Sequence, residues 1–321
     1  CSARLLGLSL SALCSPGFEF GKASFDQLGA VFMMQHLYDL NQNALQPLWE
    51  LIVEQCPFTR HWLFPGWLTL ASFIIFCLYF TWKDVFRHTS KLDTAFWPTT
   101  EDMLRAAVPQ LAVYFGLNGL FTYLYPELGS LPERAPTLLR FLFEVTASFV
   151  AGDFFIYWEH RIMHLVPYLR TKIHSVHHDY HSCFSWAGGW VHPAEDTLVI
   201  LCQVSVPLVC GFHPLSLWCF TFWWVAFLVE EHSGHDVWWG PHNWLPFSMG
   251  GGATPHLPHH MYPAKNFGFV LLVWDHLFGT FAQHPTPIVK PKHYRQWWEY
   301  SRQTDDEENQ SPASQQLKKT M

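Results

Sequence analysis

Uncharged apolar runs recur along the chain and predict membrane helices. The first, Trp62–Trp82, contains no charged residue and has a tryptophan at each end. It is long enough to cross a hydrocarbon core of about 30 Å, and tryptophan favours the membrane–water interfaces. Lys83, Arg87 and Lys91 follow it, so the positive-inside rule places this end in the cytosol. A second apolar run, Ala106–Tyr125, predicts the return span.

The third apolar run, Leu138–Trp158, carries charges within its length and leads back towards the cytosol. Charged groups are costly in lipid, so Arg140, Glu144 and Asp153 are expected to face protein or water. Arg140 and Glu144 stand four residues apart, a spacing that favours an ion pair on one helix face.

The next two apolar stretches, Thr197–Phe212 and Leu215–Val229, are each shorter than the roughly 17–25 residues that a span needs. They predict a helical hairpin that enters the membrane from the cytosol and returns to it. Residues 266–282 predict an interfacial or packed helix. The fold class expected is therefore an all-α integral membrane protein, with about four membrane helices or hairpin segments and a cytosolic, histidine-rich helical cap.

The same pattern divides the chain into four regions. They are an N-terminal region (1–61), a transmembrane hairpin (62–137), a region that contains most of the histidines and is therefore expected to be the catalytic domain (138–282), and a cytosolic tail with a disordered end (283–321). The end of the tail is predicted to be disordered because it is polar and has no hydrophobic periodicity.

Composition supports the membrane assignment and narrows the class of partner. Half of the residues are hydrophobic and only 14% are charged, against roughly 25% in soluble domains. The net charge of −7 argues against nucleic acid as a partner, since phosphate binding needs a basic surface. The eight cysteines are scattered without a CxxC pair, which argues against disulfides and thiolate zinc sites.

Three histidine clusters are the candidate chemistry of this chain. They read HRIMH from His160, HSVHH from His174 and HLPHH from His256. Residues three or four apart share one face of a helix, and imidazole suits iron, zinc, copper or nickel. The eight imidazoles of these clusters exceed the needs of one four- to six-coordinate ion, so they predict two metals.

These clusters, followed by WDHLFGT, resemble the fatty acid hydroxylase and sterol desaturase superfamily of membrane di-metal oxygenases. The resemblance covers about Leu138 to Ala282. Two further segments, Glu230–Asp236 with the following LPF and Phe267–Thr280, are similar to the branch of sterol C4-methyl oxidases and cholesterol 25-hydroxylase. The HPAED segment, which begins at His192, resembles the HPxE segment of the family.

The resemblance implies a dinuclear centre ligated by the clustered histidines and by the histidine of the HSG segment. These are His160, His164, His174, His177, His178, His232, His256, His259 and His260. His235 and His242 are further candidate ligands, with solvated loop histidines as the alternative. His192, Glu195 and Asp275 are expected to support the ligands, since metal-bound imidazoles donate their second N–H to a carboxylate or carbonyl.

Two prolines make the third cluster the least regular. Pro255 stands where relatives often have another histidine, and Pro258 lies inside the cluster. Proline is favoured at the first position of a helix. The sequence therefore predicts a helix that begins at Pro258, with His256 on the preceding loop and the least secure of the ligands.

The family implies two iron ions, with zinc as a substitute in preparations, and O2 as co-substrate. Electrons would come from cytochrome b5 or a reductase, because the chain has no nucleotide-binding fingerprint. The substrate expected is a membrane sterol, hydroxylated at a C4 methyl or on the side chain. The alternatives are hydroxylation or desaturation of a fatty acyl, sphingolipid or alkylglycerol chain, and a non-catalytic zinc-binding scaffold. Lys318 and Lys319 resemble a dilysine retrieval signal of the endoplasmic reticulum membrane.

Overall fold

A computed structural model describes residues 25–61, 63–86, 91–92, 99–124, 131–180, 183–261 and 264–283. Within these ranges the regular elements are helices, and two isolated bridges are the only strand-like pairings. The start of the N-terminal region, residues 1–24, and the tail from residue 284, with Lys318 and Lys319, lie outside the described residues.

The first predicted span is helix α3, Phe64–Phe86. It has 23 residues with a mean hydropathy of 1.6, and among the described helices it alone is long and apolar enough to cross a membrane. Pro65 lies in its first turn, where a missing N–H costs nothing, and Lys83 lies in its last turn, where a cation is favourable. The helix continues four residues beyond the predicted end.

The second predicted span is helix α4, Thr100–Leu124, which begins six residues earlier than the apolar run. The early start has a local cause. Asp102 accepts hydrogen bonds from the backbone N–H and the hydroxyl of Thr99 at 2.9 and 2.7 Å. The hydroxyl of Thr99 in turn accepts the backbone N–H of Asp102 at 3.2 Å, so the two residues cap the helix.

Helix α5, Leu138–Leu165, is the central element of the molecule. Glu144 and Asp153 are buried in protein, whereas the side chain of Arg140 is 52% exposed, in agreement with the expectation that these charges face protein or water. Arg140 Nε donates to Glu144 Oε1 at 2.6 Å, and Glu144 is buried. Asp153 is fully buried, and its Oδ1 accepts the backbone N–H groups of Val270 and Leu271 at 2.6 and 3.2 Å. These contacts orient the last turns of the helix towards the segment that follows the third cluster.

The predicted helical hairpin consists of α6, Pro193–Val209, and α7, Pro214–His232. Each helix begins at a His–Pro pair. The Nδ1 atom of His192 accepts the N–H of Ala194 at 3.2 Å, and that of His213 accepts the N–H of Leu215 at 3.0 Å. Both helices are longer than predicted, so α6 starts beside the second cluster and α7 carries a histidine of the site at its end.

Aromatic and branched side chains pack α5 against the hairpin and α7 against α3. One core cluster joins Phe73, Cys77 and Phe80 of α3 to Val225 and Val229 of α7. A second unites α5, α7 and the chain after the third cluster. Its buried members are Ile156, Phe220, Trp224, Phe227, Phe269 and Val270. This packing brings the ends of α5 and α7 that carry histidines to the same side of the bundle.

The helix predicted for residues 266–282 is wrong except over residues 273–278. Only α9, Val273–Phe278, is helical, after a third-cluster helix α8, Ala253–Met261. Asp275 accepts the backbone N–H groups of Phe267 and Gly268 at 2.9 and 2.7 Å. The N–H groups of residues 270 and 271 are bound by Asp153. Because carboxylates occupy these donors, residues 267–271 cannot form the i→i−4 bonds of a helix.

The N-terminal region contains two helices that the apolar pattern did not indicate. They are α1, Phe25–Asn43, and α2, Gln46–Gln55. Trp49 is buried, and its indole N–H donates to the carbonyl of Pro132 at 2.9 Å. The N-terminal helices therefore pack beside the chain that leads into α5.

Candidate metal centre

All nine histidines predicted as ligands converge in the structure, in two groups. In each group one ring nitrogen from every residue lies within 4.8 Å of the others, and all nine residues are held by four segments around the ends of α5 and α7. The first group is His160, His164, His174, His178 and His259; the second is His177, His232, His256 and His260.

The three clusters contribute to the two groups in different ways. His160 and His164 are four residues apart near the end of α5 and join the first group. In the second cluster, His174 and His178 join the first group and His177 the second. In the third cluster, His256 and His260, which are four residues apart, join the second group, and His259 joins the first. Each HxxHH motif thus supplies both groups. On the α-helix of the third cluster the adjacent His259 and His260 point about 100° apart around the axis, whereas the second cluster lies in two short helical turns, Arg170–His174 and His177–Asp179.

The Nε2 atoms of the first group face one another. His174 Nε2 lies 2.8 Å from His164 Nε2 and 3.1 Å from His178 Nε2. His259 Nε2 lies 3.2 Å from His164 Nε2. The Nε2 atom of His160 is buried without a hydrogen-bond partner, which leaves a lone pair or N–H of this ring unsatisfied.

The second group repeats this arrangement with four rings. His256 Nε2 lies 3.1 Å from His232 Nε2 and 2.9 Å from His260 Nε2. His177 Nε2 lies 3.5 Å from His232 Nε2. The groups adjoin, with ring centroids 4.6 Å apart between His178 and His260.

The donor set and its spacing fit metal ions. A metal about 2.0–2.1 Å from each imidazole nitrogen holds its ligand nitrogens about 2.9–3.4 Å apart in octahedral or tetrahedral geometry. Burial lowers the pKa of His177, His178 and His256 well below the usual 6.5, and that of His259 to about 3. These rings are therefore neutral at pH 7, which is the state that binds a metal.

The opposite ring nitrogens of several histidines contact protein acceptors. His174 Nδ1 lies 2.6 Å from Glu195 Oε1, and His256 Nδ1 lies 3.0 Å from Glu231 Oε1. Three further Nδ1 atoms meet backbone carbonyls. They belong to His160 (Phe267 O, 3.2 Å), His232 (Leu228 O, 2.8 Å) and His259 (Lys265 O, 2.7 Å). Such contacts orient the ring and direct the lone pair of Nε2 into the group.

The three predicted supporting residues occupy different places. Glu195 contacts His174 directly, as above. Asp275 contacts none of the nine rings. It binds the backbone at Phe267 and accepts the hydroxyl of Thr280 at 2.7 Å, and it thereby holds the carbonyl that His160 contacts. His192 caps helix α6. The carbonyls of Phe267 and Lys265 are supports that sequence reasoning missed, because a backbone carbonyl leaves no residue-type signal.

The two further candidate ligands lie outside both groups. His235 is fully buried rather than solvated, and its Nε2 lies 2.7 Å from Asp84 Oδ1. The same carboxylate oxygen accepts a hydrogen bond from Lys91 Nζ at 2.6 Å. His242 Nε2 lies 2.9 Å from Asp236 Oδ1 in the loop before α8. Asp84 is thus a buried anchor between the end of α3 and the HSG segment.

The prediction that the third-cluster helix begins at Pro258 is wrong. Helix α8 begins at Ala253 rather than at Pro258, so His256 lies within the helix and joins the second group. Pro255 falls in the first turn, where the N–H has no partner inside the helix. Pro258 removes one interior hydrogen bond. Packing of three buried histidines on α8 outweighs that loss.

A cavity of about 70 Å³ opens beside both groups. It extends between α5, α6 and α7 and reaches His160 and His174 of the first group and His177, His232 and His256 of the second. Its apolar wall is formed by Ile156, Val199, Trp224, Leu228 and Phe269. The volume is smaller than the roughly 300–1,000 Å³ that is typical of small-molecule sites. The largely apolar wall of the cavity borders histidines of both groups.

Comparison with known proteins follows the same residues. Residues 145–280, which contain all nine histidines, match the fatty acid hydroxylase family. Cholesterol 25-hydroxylase from Mus musculus is 30% identical over 265 residues, which cover 79% of this chain and 88% of that protein. Cholesterol 25-hydroxylase-like protein 2 from Danio rerio is 29% identical over 262 residues, 78% of this chain and 94% of that protein.

A third relative is named for a different activity. A very-long-chain aldehyde decarbonylase from Oryza sativa is 37% identical over 140 residues, 43% of this chain and 51% of that protein. No solved structure matches the chain.

Proposed function

The chain belongs to the fatty acid hydroxylase and sterol desaturase superfamily, near its cholesterol 25-hydroxylase branch, and we propose that it is a di-iron, O2-dependent sterol hydroxylase. It is an oxidoreductase of lipid or sterol hydroxylation; the metal, the sterol and the carbon are proposals. The observation that carries them is the pair of histidine groups beside an apolar cavity.

The two groups suit a redox-active metal pair better than a single structural ion. The five imidazoles of the first group would together ligate one ion, and the four of the second group would ligate another. Iron in such a site supplies O2 activation and the oxidation of a C–H bond, chemistry that zinc lacks. Glu195 and Glu231 hold His174 and His256 in the orientation that a metal needs. Burial of the imidazole rings limits the access of water to the metal positions.

The cavity residues select and position the substrate. Ile156, Val199 and Leu228 offer aliphatic surface, and Trp224 and Phe269 offer flat aromatic faces, which together suit a rigid hydrocarbon. A bound molecule would place one end against His160 and His177. The names of the relatives favour the sterol side chain as that end, with a C4 methyl as the alternative.

The cellular setting is also a proposal. Helix α3 is the apolar span, and the hairpin α6–α7 enters the same membrane, with the histidine groups on the cytosolic side. Electrons come from cytochrome b5 or a reductase in the endoplasmic reticulum membrane, because the chain has no nucleotide-binding fingerprint. The Lys318–Lys319 pair would retain the protein there.

The test is sterol and lipid profiling of cells that express the chain under isotopically labelled O2. The control is a chain with His178→Ala and His260→Ala, one replacement in each group. A labelled side-chain hydroxysterol that only the intact chain forms supports the proposal. A labelled 4-hydroxymethylsterol moves the oxidation to C4. A labelled hydroxyacyl chain, or a shortened aldehyde-derived hydrocarbon, refutes the sterol substrate. A folded, zinc-loaded protein that consumes no O2 supports the non-catalytic scaffold.

A further inference from the structure

The loop between α7 and α8 presents aromatic side chains to the outside. Trp238 is 85% exposed, Trp244 55% and Phe247 83%. Large aromatic side chains are usually at least partly buried, and three exposed ones within residues 238–247 indicate a contact with a partner or a membrane.

The loop is held in one shape by its own contacts. Asp236 Oδ1 lies 2.9 Å from both His242 Nε2 and Asn243 Nδ2. The indole N–H of Trp244 donates to the carbonyl of Trp239 at 3.1 Å. These bonds fix the turn from both ends, so the exposure of its aromatic rings is a property of the folded loop.

The backbone at the tip of the loop is strained in a way that projects Phe247. The φ angles of Phe247 and Ser248 are 57° and 55°, in the left-handed region that favours glycine. A neighbouring contact supports this conformation, since the carbonyl oxygen of Ser248 lies 3.2 Å from Nε2 of His276. Strain of this kind persists at functional positions. A loop with no outside contact would gain from relaxing and burying the ring.

Contacts with α3 give the position of the loop. The ring of Trp239 packs 6.4 Å from Tyr79 and 5.9 Å from Phe80 between centroids. Tyr79 and Phe80 lie about one turn before Asp84, the buried residue at the end of α3 that contacts His235. The loop therefore lies alongside that end of the proposed span.

We propose that this loop inserts into the membrane–water interface on the cytosolic side, with Trp238 and Phe247 in contact with lipid. The inference rests on the proposed span, because α3 sets the level of the bilayer. Aromatic rings prefer this interface, and Trp239 packs the loop against α3, where Ile75 and Leu78 are 56% and 55% exposed. The contact places the cavity beside the bilayer, so that an apolar substrate can enter it without crossing water.

The test uses photo-cross-linking of the full chain in liposomes of phosphatidylcholine and phosphatidylserine. Benzoylphenylalanine replaces Phe247, which conserves an exposed aromatic ring. The same residue at Ile75 reports the span. Benzoylphenylalanine at Glu101, whose side chain is 84% exposed, reports a water-facing site. The adjacent Asp102 accepts a hydrogen bond at 2.9 Å from the hydroxyl of Tyr180, which places position 101 beside the second histidine cluster.

The proposal predicts a lipid adduct at position 247 within about twofold of the yield at 75 and at least tenfold above that at 101. An adduct at 75 without one at 247 overturns the interfacial loop and leaves the span intact. A protein adduct at 247, within the chain or to a second copy, assigns the patch to a protein contact and also overturns the proposal. Failure at 75 refutes the span and the loop contact together, without touching the metal centre.

Discussion

The hydrogen bond between His174 and Glu195 makes the support of the first histidine group measurable. His174 Nδ1 and Glu195 Oε1 lie 2.6 Å apart, and both residues are buried. We expect Glu195→Gln to weaken metal binding by the first group. Removal of such a support costs about 10–100-fold in metal affinity, or about 1.4–2.7 kcal/mol. Gln retains an acceptor oxygen, so its effect should lie near tenfold; Glu195→Ala should approach a hundredfold.

The matched control is Asp196→Asn, which removes the neighbouring carboxylate. Asp196 is also buried and lines the same cavity, but no contact joins it to the nine rings among the described residues. Purified protein is dialysed against graded chelator, and the iron per chain is measured by elemental analysis. Glu195→Gln should lose one ion of two at lower chelator than wild type, whereas Asp196→Asn should titrate as wild type. Equal retention in all three proteins, or equal loss in both variants, would refute the supporting role.

Three further predictions test other parts of the structure. His256→Ala should reduce the metal content from two ions to one, while His192→Ala should leave two; equal content in both would remove His256 from the centre. Asp84→Asn removes the carboxylate shared by a buried lysine and a buried histidine, and should lower the free energy of unfolding by about 3–5 kcal/mol. An unchanged denaturation midpoint would contradict this. Gly234→Ala should destabilise more than Gly211→Ala: both have positive φ, but only at Gly234 would a Cβ lie 2.9 Å from a backbone carbonyl oxygen. Equal thermal shifts would argue against that contact.

The identity of the clustered histidines could be predicted because i,i+4 spacing is a property of one helix. His160 and His164 lie on a common face of α5 wherever that helix packs, whereas His174 and His178 lie in two consecutive short helical turns. The division into two groups could not be predicted in the same way. It depends on the relative orientation of α5, α7 and α8, which tertiary packing determines.

The errors concern residues whose partners are distant in sequence. The helix expected over 266–282 fails because the carboxylate of Asp153, more than a hundred positions away, binds the backbone at Val270. His235 pairs with Asp84, which no local pattern indicates. Helices α1 and α2 were missed because their apolar residues do not form a long run, and their contacts lie near the start of α5.

The membrane pattern was informative where one helix is both long and apolar. Helix α3 could be recognised from Trp62–Trp82 alone. The remaining proposed membrane segments carry interior charges or are short, and their placement depends on the surfaces that packing leaves exposed. The boundaries differ for local reasons, such as the Thr99–Asp102 cap of α4 and the His–Pro starts of α6 and α7.

The number of iron ions per chain tests the proposed centre most directly. Elemental analysis of full-length protein, purified in detergent and loaded with ferrous iron without oxygen, should give two ions per chain. His164→Ala and His260→Ala should each give one, because the two residues belong to different groups. A single ion in the wild type, lost from both variants together, would contradict a centre built from two histidine groups.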